Sequence, residues 1–532
     1  MKKIGFDFGT TNSAISFYNK ETKGLDNFQM DVSSTDYIPT VVAYKDDEIL
    51  IGNAAKMRLT KKAFDAYEHF KLRLGKDFNK QIEGKNKTPL EVTTDYIKIL
   101  LEKYKQAQNI DNIEGIVMTV PETWFREASN RATRDNIESI YNSLGYEDIF
   151  RLESEPVAAA GYFCWAYRNE KKSSYTGTVV VIDFGGGTLD VTLCEVGKGE
   201  EIKILERCGY GEYNNTNGCA GVAFDEAVVE KLLKDNKINI KKGDAKFTKL
   251  CGEFESNKIN STDIITKMMK EYYADPDLVE DEVLFTLDYD DDEIDVFCAD
   301  LAECYEKVNK KYLIESLQQI KEYFDGLNIN AKENQEHFKV LMVGGFSNFY
   351  CVEETIRNFF GSRVDLDDKR FDASFNLKNR SLAISRGAAL IAQNIVKVDH
   401  TCTHNIGYIV VSQDENDRWI DKDVKIIEKG RKLTEVHNPI FAEKRVEVKS
   451  KSGTLRIFMD DGRADGSGRT TAALDQSISD LFPNLDMPGN TYQIGFSVDK
   501  NLIPTVHIRD KKNAEIKTSL NKLLERISIR EV

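Results

Sequence analysis

Two stretches of this chain, 176 residues apart, carry the same design. Residues 3–17 (KIGFDFGTTNSAISF) read as an apolar strand, a tight Gly-Thr-Thr turn and a second strand, which is a hairpin. Residues 179–196 (VVVIDFGGGTLDVTLCEV) repeat it. Aligning Asp7 with Asp183 pairs Phe8 with Phe184 and Gly9 with Gly185, and sets Thr10 and Thr11 against Gly186 and Gly187. Matched hairpins at that distance predict a duplicated domain with one copy in each half.

Each turn places an acid immediately before a bend of glycines or small hydroxylic residues. Such bends let backbone N–H groups approach anionic oxygens, and an adjacent carboxylate can hold Mg²⁺ through water. The donors are Gly9, Thr10, Thr11 and Asn12 in one copy and Gly185, Gly186, Gly187 and Thr188 in the other. One Gly-rich hairpin is weak evidence. Two matched copies point to a polyphosphate held between them.

Helical periodicity marks residues 91–108, with Ile97, Leu100, Leu101 and Tyr104 on one face. Glu114 to Val120 reads as a buried strand and 125–143 as a second amphipathic helix. Helices are expected at 224–236, 246–260, 300–326 and 351–360, and a strand from Phe338 to Val343 leads into Gly344-Gly345. Ser381 to Asn394 reads as a small-residue helix that packs closely on a sheet. Beyond Val398 the texture changes to short alternating stretches separated by Gly, Asn and Asp turns, which predicts a compact antiparallel β domain. A short helix near 515–527 is expected to follow it.

Composition excludes several classes. The net charge of −15 argues against a general nucleic-acid binder, since phosphate contacts need surplus cations. Much of the excess is local: Asp275 to Asp295 holds 11 acids and no Lys or Arg, read as a solvated loop with strand edges. No apolar run is long enough to cross a membrane, and MKKIGFDFGTTNS does not read as a secretory signal. Nine scattered cysteines without a C-x-x-C pair read as reduced buried thiols, so the expected location is cytoplasmic.

Here the sequence resembles a known family. IGFDFGTTNS, DFGGGTLD and VLMVGGFSN are similar to the two phosphate motifs and the adenosine motif of the actin, hexokinase and heat shock protein 70 ATPases. FKLRLGK (70–76), MTVPETWFREASNRATRDN (118–136), ESEPVAAAGY (153–162) and AISRGAALIA (383–392) resemble the heat shock protein 70 family in particular, and YQIGFSVDKNLIPTVHIRDK (492–511) resembles the closing strands of its β substrate-binding domain. The resemblance implies an α/β fold: a duplicated, actin-like (ribonuclease H-like) two-lobed ATPase domain at 1–396, with lobe I at about 1–178 and 363–396 and lobe II at about 179–362. A linker at 397–404, a small antiparallel β-sandwich at 405–512 and a tail at 513–532 with one short helix and no helical lid would follow.

The implied ligands are ATP or ADP with Mg²⁺, and K⁺ as an optional monovalent ion. Asp7 and Asp183 would hold hydrated Mg²⁺, with Thr10, Thr11 and Gly185 to Thr188 around the phosphates. Thr188 and Asp190 would help place the attacking water, Lys71 would neutralise charge near the γ-phosphate, and Glu155 would orient water. These roles suit phosphoryl transfer, which is mainly positioning and electrostatics. The plain alternatives are a solvated surface lysine for Lys71 and a helix-start acid beside Pro156 for Glu155. Gly221, Gly344, Gly345, Glu255 and Lys258 match the nucleoside side of the site.

That side also departs from the family. Phe346 stands where the family has Ser, and Asn348 and Ile259 stand where it has cations that sandwich adenine, a loss of about 1–2 kcal/mol each. Phe346 is either a stacking surface or core. The segment at 397–404 has only two valines where the family has a leucine-rich acidic strand. His400, Cys402 and His404 alternate, and a polar edge is favoured over a metal site because a fourth ligand is not visible.

The resulting expectation is a divergent, lid-less ATP-dependent chaperone. It would hydrolyse ATP slowly and couple lobe motion to gripping unfolded or extended polypeptide, helped by co-chaperones. The rival is a nucleotide-gated scaffold with low turnover and one dedicated protein partner. A sugar kinase on the same fold is weaker, because no Asp sits in an evident sugar-binding context.

Overall fold

The structure, a computed structural model, describes residues 2–519 except 32–35, 47, 60, 62, 77–78, 83, 123, 125–130, 198–200, 212–217, 290–291, 327–337, 362–376, 403, 448–453, 461–468, 474–490 and 500–503. Contacts divide it into two compact units, with the break after Val398.

The first unit is built on the duplication. In its first half the strands run in the order Phe150–Ser154, Ile113–Val120, Lys2–Asp7, Asn12–Asn19, Gly24–Asn27. In its second half the order is Phe338–Val343, Gly177–Phe184, Thr188–Val196, Glu201–Gly211, Lys397–Asp399. Each acid-bearing strand pairs antiparallel with its own hairpin partner, Asp7 facing Ala14 and Asp183 facing Asp190. Each also pairs parallel with a neighbour distant in sequence. Strands covered on both faces read as near-continuous apolar runs, as in VVVIDF.

Small residues set how closely helices approach these sheets. On the helix Leu377–Ala392, a Cβ at Gly387 would lie 1.7 Å from the Ala158 carbonyl oxygen, and one at Gly5 would lie 2.1 Å from the Ala389 nitrogen. The close packing read from that small-residue segment is present. The helix Pro89–Gln108 starts with a reciprocal capping box between Thr88 and Glu91 and with Pro89 in its first turn.

Several local expectations shift. The second amphipathic helix begins at Arg131 and ends at Ser143, and 125–130 lie outside the described residues. A helix at Thr262–Ala274 was not anticipated. The acidic run is largely a hairpin, Val283–Tyr289 with Asp292–Phe297, whose Leu284, Leu287, Ile294 and Val296 enter the core. The expected helix at 300–326 runs from Cys298 through a π turn, Glu306–Lys310, to Gly326.

The second unit holds two antiparallel sheets. One runs Trp419–Ile427, Asn405–Gln413, Arg456–Asp460, Arg469–Ala473, and the other Ile440–Phe441, Thr491–Val498, Pro504–Arg509, Glu515–Ser519. Tyr408, Ile427, Tyr492, Ile494, Phe496, Val506 and Ile508 form its core. The helix expected near 515–527 is a strand at Glu515–Ser519, and 520–532 lie outside the described residues. A tight turn returns the chain onto the preceding strand. Asp510 accepts from the Lys512 and Ala514 N–H groups, Asn513 takes φ 63°, and the returning strand packs Ile516 on the core. On its other face Glu515 bonds His507 Nδ1 at 2.7 Å, while Ser497 bonds His507 Nε2 at 2.8 Å. Lys397–Asp399 edges the second sheet of the first unit, and Thr401 makes an isolated bridge to Lys432 in the second.

Candidate functional site

The two acid–glycine turns face each other in the first unit. A Cβ at Gly186 would lie 2.4 Å from Thr11 Oγ1, and one at Gly187 would lie 2.5 Å from Thr10 Oγ1. Only glycine allows the loops this close. The Gly221 N–H donates to the Gly185 carbonyl at 3.1 Å and the Val222 N–H to that of Gly186 at 2.8 Å, tying the second loop to the start of the helix Gly221–Asp235. Gly344 sits beneath Asp183 with φ 81°, where a Cβ would be 2.4 Å from Asp183 Oδ1.

Between the loops lies a cavity of about 710 Å³. Asp7, Gly9, Thr10, Thr11, Asn12, Lys71, Glu155, Asp183, Gly185, Gly186, Gly187, Thr188, Gly221, Glu255, Lys258, Gly344, Gly345, Phe346 and Asn348 all line it. Asp190 does not. It is fully buried behind the wall, opposite Asp183 in the hairpin.

Lys71 is not a surface lysine. It lies in a 3-10 turn, Phe70–Arg73, with its side chain 3% exposed. Its ammonium donates to Glu155 Oε1 at 3.0 Å and to the Phe8 carbonyl, and lies 5.5 Å and 5.6 Å from the ring centres of Phe8 and Trp124. Three carboxylates share this one cation. Burial pushes Asp7 up to about 7, with repulsion from Glu155 adding and Lys71 opposing. Burial likewise holds Asp183 well above the usual carboxylate range, helped by Glu155, Asp190 and Asp7, and raises Glu155 against the pull of Lys71.

Such a cluster suits a divalent cation. Asp183 Oδ2 is buried and has no hydrogen-bond partner among the described residues. Uncompensated buried carboxylates either take up protons or hold a metal. No three His, Cys, Asp or Glu side chains among the described residues are grouped to hold an ion directly. The alternating His400, Cys402 and His404 form no such group either, and Cys402 is buried in the β core.

Residues 3–396 match the family model described as Hsp70 protein. The chain belongs to the Hsp70 family. A chaperone protein DnaK of Mycoplasma mycoides subsp. mycoides SC is 27% identical over 361 residues, covering 67% of this chain and 55% of that relative. The chain therefore spans about half the length of the curated relative it matches. Family membership implies the actin-like ATPase fold, which the duplicated sheets fit. The family match ends two residues before the first unit does and does not reach the β unit.

In this Hsp70 cleft the side remote from Lys71 shows what sequence reading missed. Lys258 is paired with the buried Asp225, and Glu255 with Lys56 at 3.0 Å. Burial pushes Asp225 up to about 6 despite Lys258. Burial would also raise Glu255, but Lys56 and Lys258 outweigh it and hold the acid below its ordinary value. The one available signal was the three-residue spacing of Glu255 and Lys258, which puts both on one helix face in need of counterions. Phe346 resolves as core: it is 5% exposed, lies edge-on to Phe184 and stacks on Phe349, and shows only part of itself to the cavity. Asn348 lines the cavity with a carboxamide whose Nδ2 donates to the Gly345 carbonyl and whose Oδ1 has no partner among the described residues.

Proposed function

We propose that this chain binds ATP with Mg²⁺ in the cleft, hydrolyses it slowly to ADP and phosphate, and uses the β unit to hold extended or unfolded polypeptide. The observation that carries the nucleotide reading is the buried Asp7, Asp183 and Glu155 cluster with Lys71 between two facing loops. The loop N–H groups cradle phosphate oxygens, and the start of the helix Gly221–Asp235 adds its dipole. Lys71 offers its ammonium to the γ-phosphate, where charge develops as the bond to the leaving group lengthens. Glu155, held by Lys71, accepts a hydrogen bond from the attacking water and fixes its line of approach. Asp190, behind Asp183, and Thr188 support that placement. Mg²⁺, held through water by Asp7 and Asp183, would supply neutralisation of the phosphate charge, and K⁺ would add to it.

The β unit supplies an antiparallel sandwich of the kind that accepts an added strand. Its part as polypeptide holder, and any co-chaperones acting on it, rest on the family relationship. All nine cysteines are free thiols, which supports a reducing, cytoplasmic location. No helix among the described residues is long and apolar enough to cross a membrane. Titration calorimetry with ADP, with and without Mg²⁺, tests the site. The parent should bind Mg²⁺-dependently and Asp183→Asn should lose that dependence. Binding indifferent to Mg²⁺ in both proteins would remove the reading.

A further inference from the structure

Behind the cavity a buried ion pair joins the two halves of the first unit. Arg207, on the second-half strand Glu201–Gly211, places Nη1 2.5 Å from Oε1 of Glu122, which follows the first-half strand Ile113–Val120. The side chains are 6% and 1% exposed. The other oxygen of Glu122 accepts from Ser154 Oγ. Ser154 is the cap residue of the helix Glu155–Lys171, whose first residue is Glu155. Neither Arg207 nor Glu122 is among the cavity-lining residues.

The backbone makes a special arrangement for this arginine. The register between Thr188–Val196 and Glu201–Gly211 slips by one residue, because Leu193 faces Glu206 whereas Cys194 faces Ile204. A bulge of this kind re-aims every side chain beyond it. Ile202 and Ile204 pack in the cluster shared with Val157 and Ala158 of the Glu155 helix, whereas Cys208 packs in the opposite one. Without the slip, Cys208 would share the face of Ile202 and Ile204; with it, Arg207 does and meets Glu122.

We infer that Arg207 and Glu122 form a positioning device for Glu155, reaching it from across the two halves; the inference rests on the nucleotide-site reading above. Through Ser154, Glu122 fixes the turn that presents Glu155 to Lys71. Arg207 neutralises Glu122, whose charge otherwise presses on Glu155. Glu155 thus keeps its place only while the second-half strand stays docked on the first half. Among the charged groups acting on Glu155, Lys71 favours its ionised form, whereas Glu122, Asp7 and Asp183 repel it. Asp7 and Asp183 feel its charge in turn.

Three variants separate positioning from mere stability. Arg207→Met leaves Glu122 buried and uncompensated. Adding Glu122→Gln removes that charge but keeps an acceptor for Ser154, and a neutral buried pair is often tolerated where half an ion pair is not. Adding Glu122→Ala instead removes the acceptor too. The readouts are single-turnover ATP hydrolysis and the ADP dissociation constant. Arg207→Met should hydrolyse at least tenfold more slowly with ADP affinity within threefold of the parent. The Gln double variant should recover to within about threefold of the parent rate, and the Ala double variant should not. Arg207→Met at the parent rate, or equal rates in the two double variants, would overturn the inference alone. A parent that hydrolyses no ATP would overturn the nucleotide-site reading and this inference with it.

Discussion

Lys71→Met is the sharpest perturbation of the cleft. The lysine is 3% exposed, and its ammonium sits between Glu155 and the first loop. Removing a preorganised donor from a site where charge develops costs about 2.7–4 kcal/mol, or ~10²–10³ in rate. The loss should fall on the chemical step, because the loop N–H groups that grip the phosphates are untouched. The fold should survive. Breaking a buried pair can cost about 3–5 kcal/mol, but Glu155 and Asp7 already lie above their ordinary values and can take up protons instead of staying charged. The assay is single-turnover ATP hydrolysis beside calorimetric ADP binding. Lys71→Met should turn over at least 100-fold more slowly, a floor taken from the low end of that range, with ADP affinity little changed. Lys71→Arg should not rescue it, since a planar guanidinium cannot occupy the point between Glu155 and the Phe8 carbonyl. A Lys71→Met rate within about threefold of the parent, with nucleotide bound, would refute the assignment.

Three other outcomes follow from the same geometry. Gly344→Ala needs φ 81° and sets a Cβ 2.4 Å from Asp183 Oδ1, so it should lose at least about 1 kcal/mol in thermal unfolding and bind Mg²⁺·ADP more weakly. Asp7 is raised to about 7 in the folded chain, so its contribution to stability is present at low pH and is lost as pH rises from about 4 through 7. Melting of the nucleotide-free parent against Asp7→Asn should show a steeper fall in the parent, since raised Glu155 and Asp183 keep part of the slope in the variant, with Mg²⁺·ADP affinity rising over the same window. Lys56→Ala breaks a partly exposed pair with Glu255, so stability should change by less than about 1 kcal/mol. ADP release followed by stopped flow should nevertheless quicken, because both residues line the cavity.

Much of this was legible because the signals were local and repeated. The Asp7 and Asp183 hairpins each contain strand, turn and chemistry within about 15 residues, and their match to one another made the duplication visible. The small-residue helix near Gly387 was likewise readable, since only a close approach explains so many missing side chains. What was not legible depends on partners far away in sequence. Asp225 meets Lys258 only when two helices of the second half pack, and Lys56 meets Glu255 and Arg207 meets Glu122 only after the two halves fold together. The tail at Glu515 read as a helix because charged residues and leucines follow it. Tertiary pairing with Pro504–Arg509 overrides that propensity and turns Ile516 to the core. Phe346 could not be assigned from sequence because both of its readings predict an aromatic residue, and only its burial among Phe184, Phe224 and Phe349 decides.

In the proposed function the cleft hydrolyses nucleotide in answer to polypeptide held by the β unit. Single-turnover ATP hydrolysis with Mg²⁺ and K⁺, with and without an unstructured apolar peptide, tests it most directly. Phosphate release should run well above that of Asp183→Asn, and faster when peptide is present. Release no greater than that of Asp183→Asn would contradict the hydrolytic site, and release that ignores the peptide would contradict the coupling.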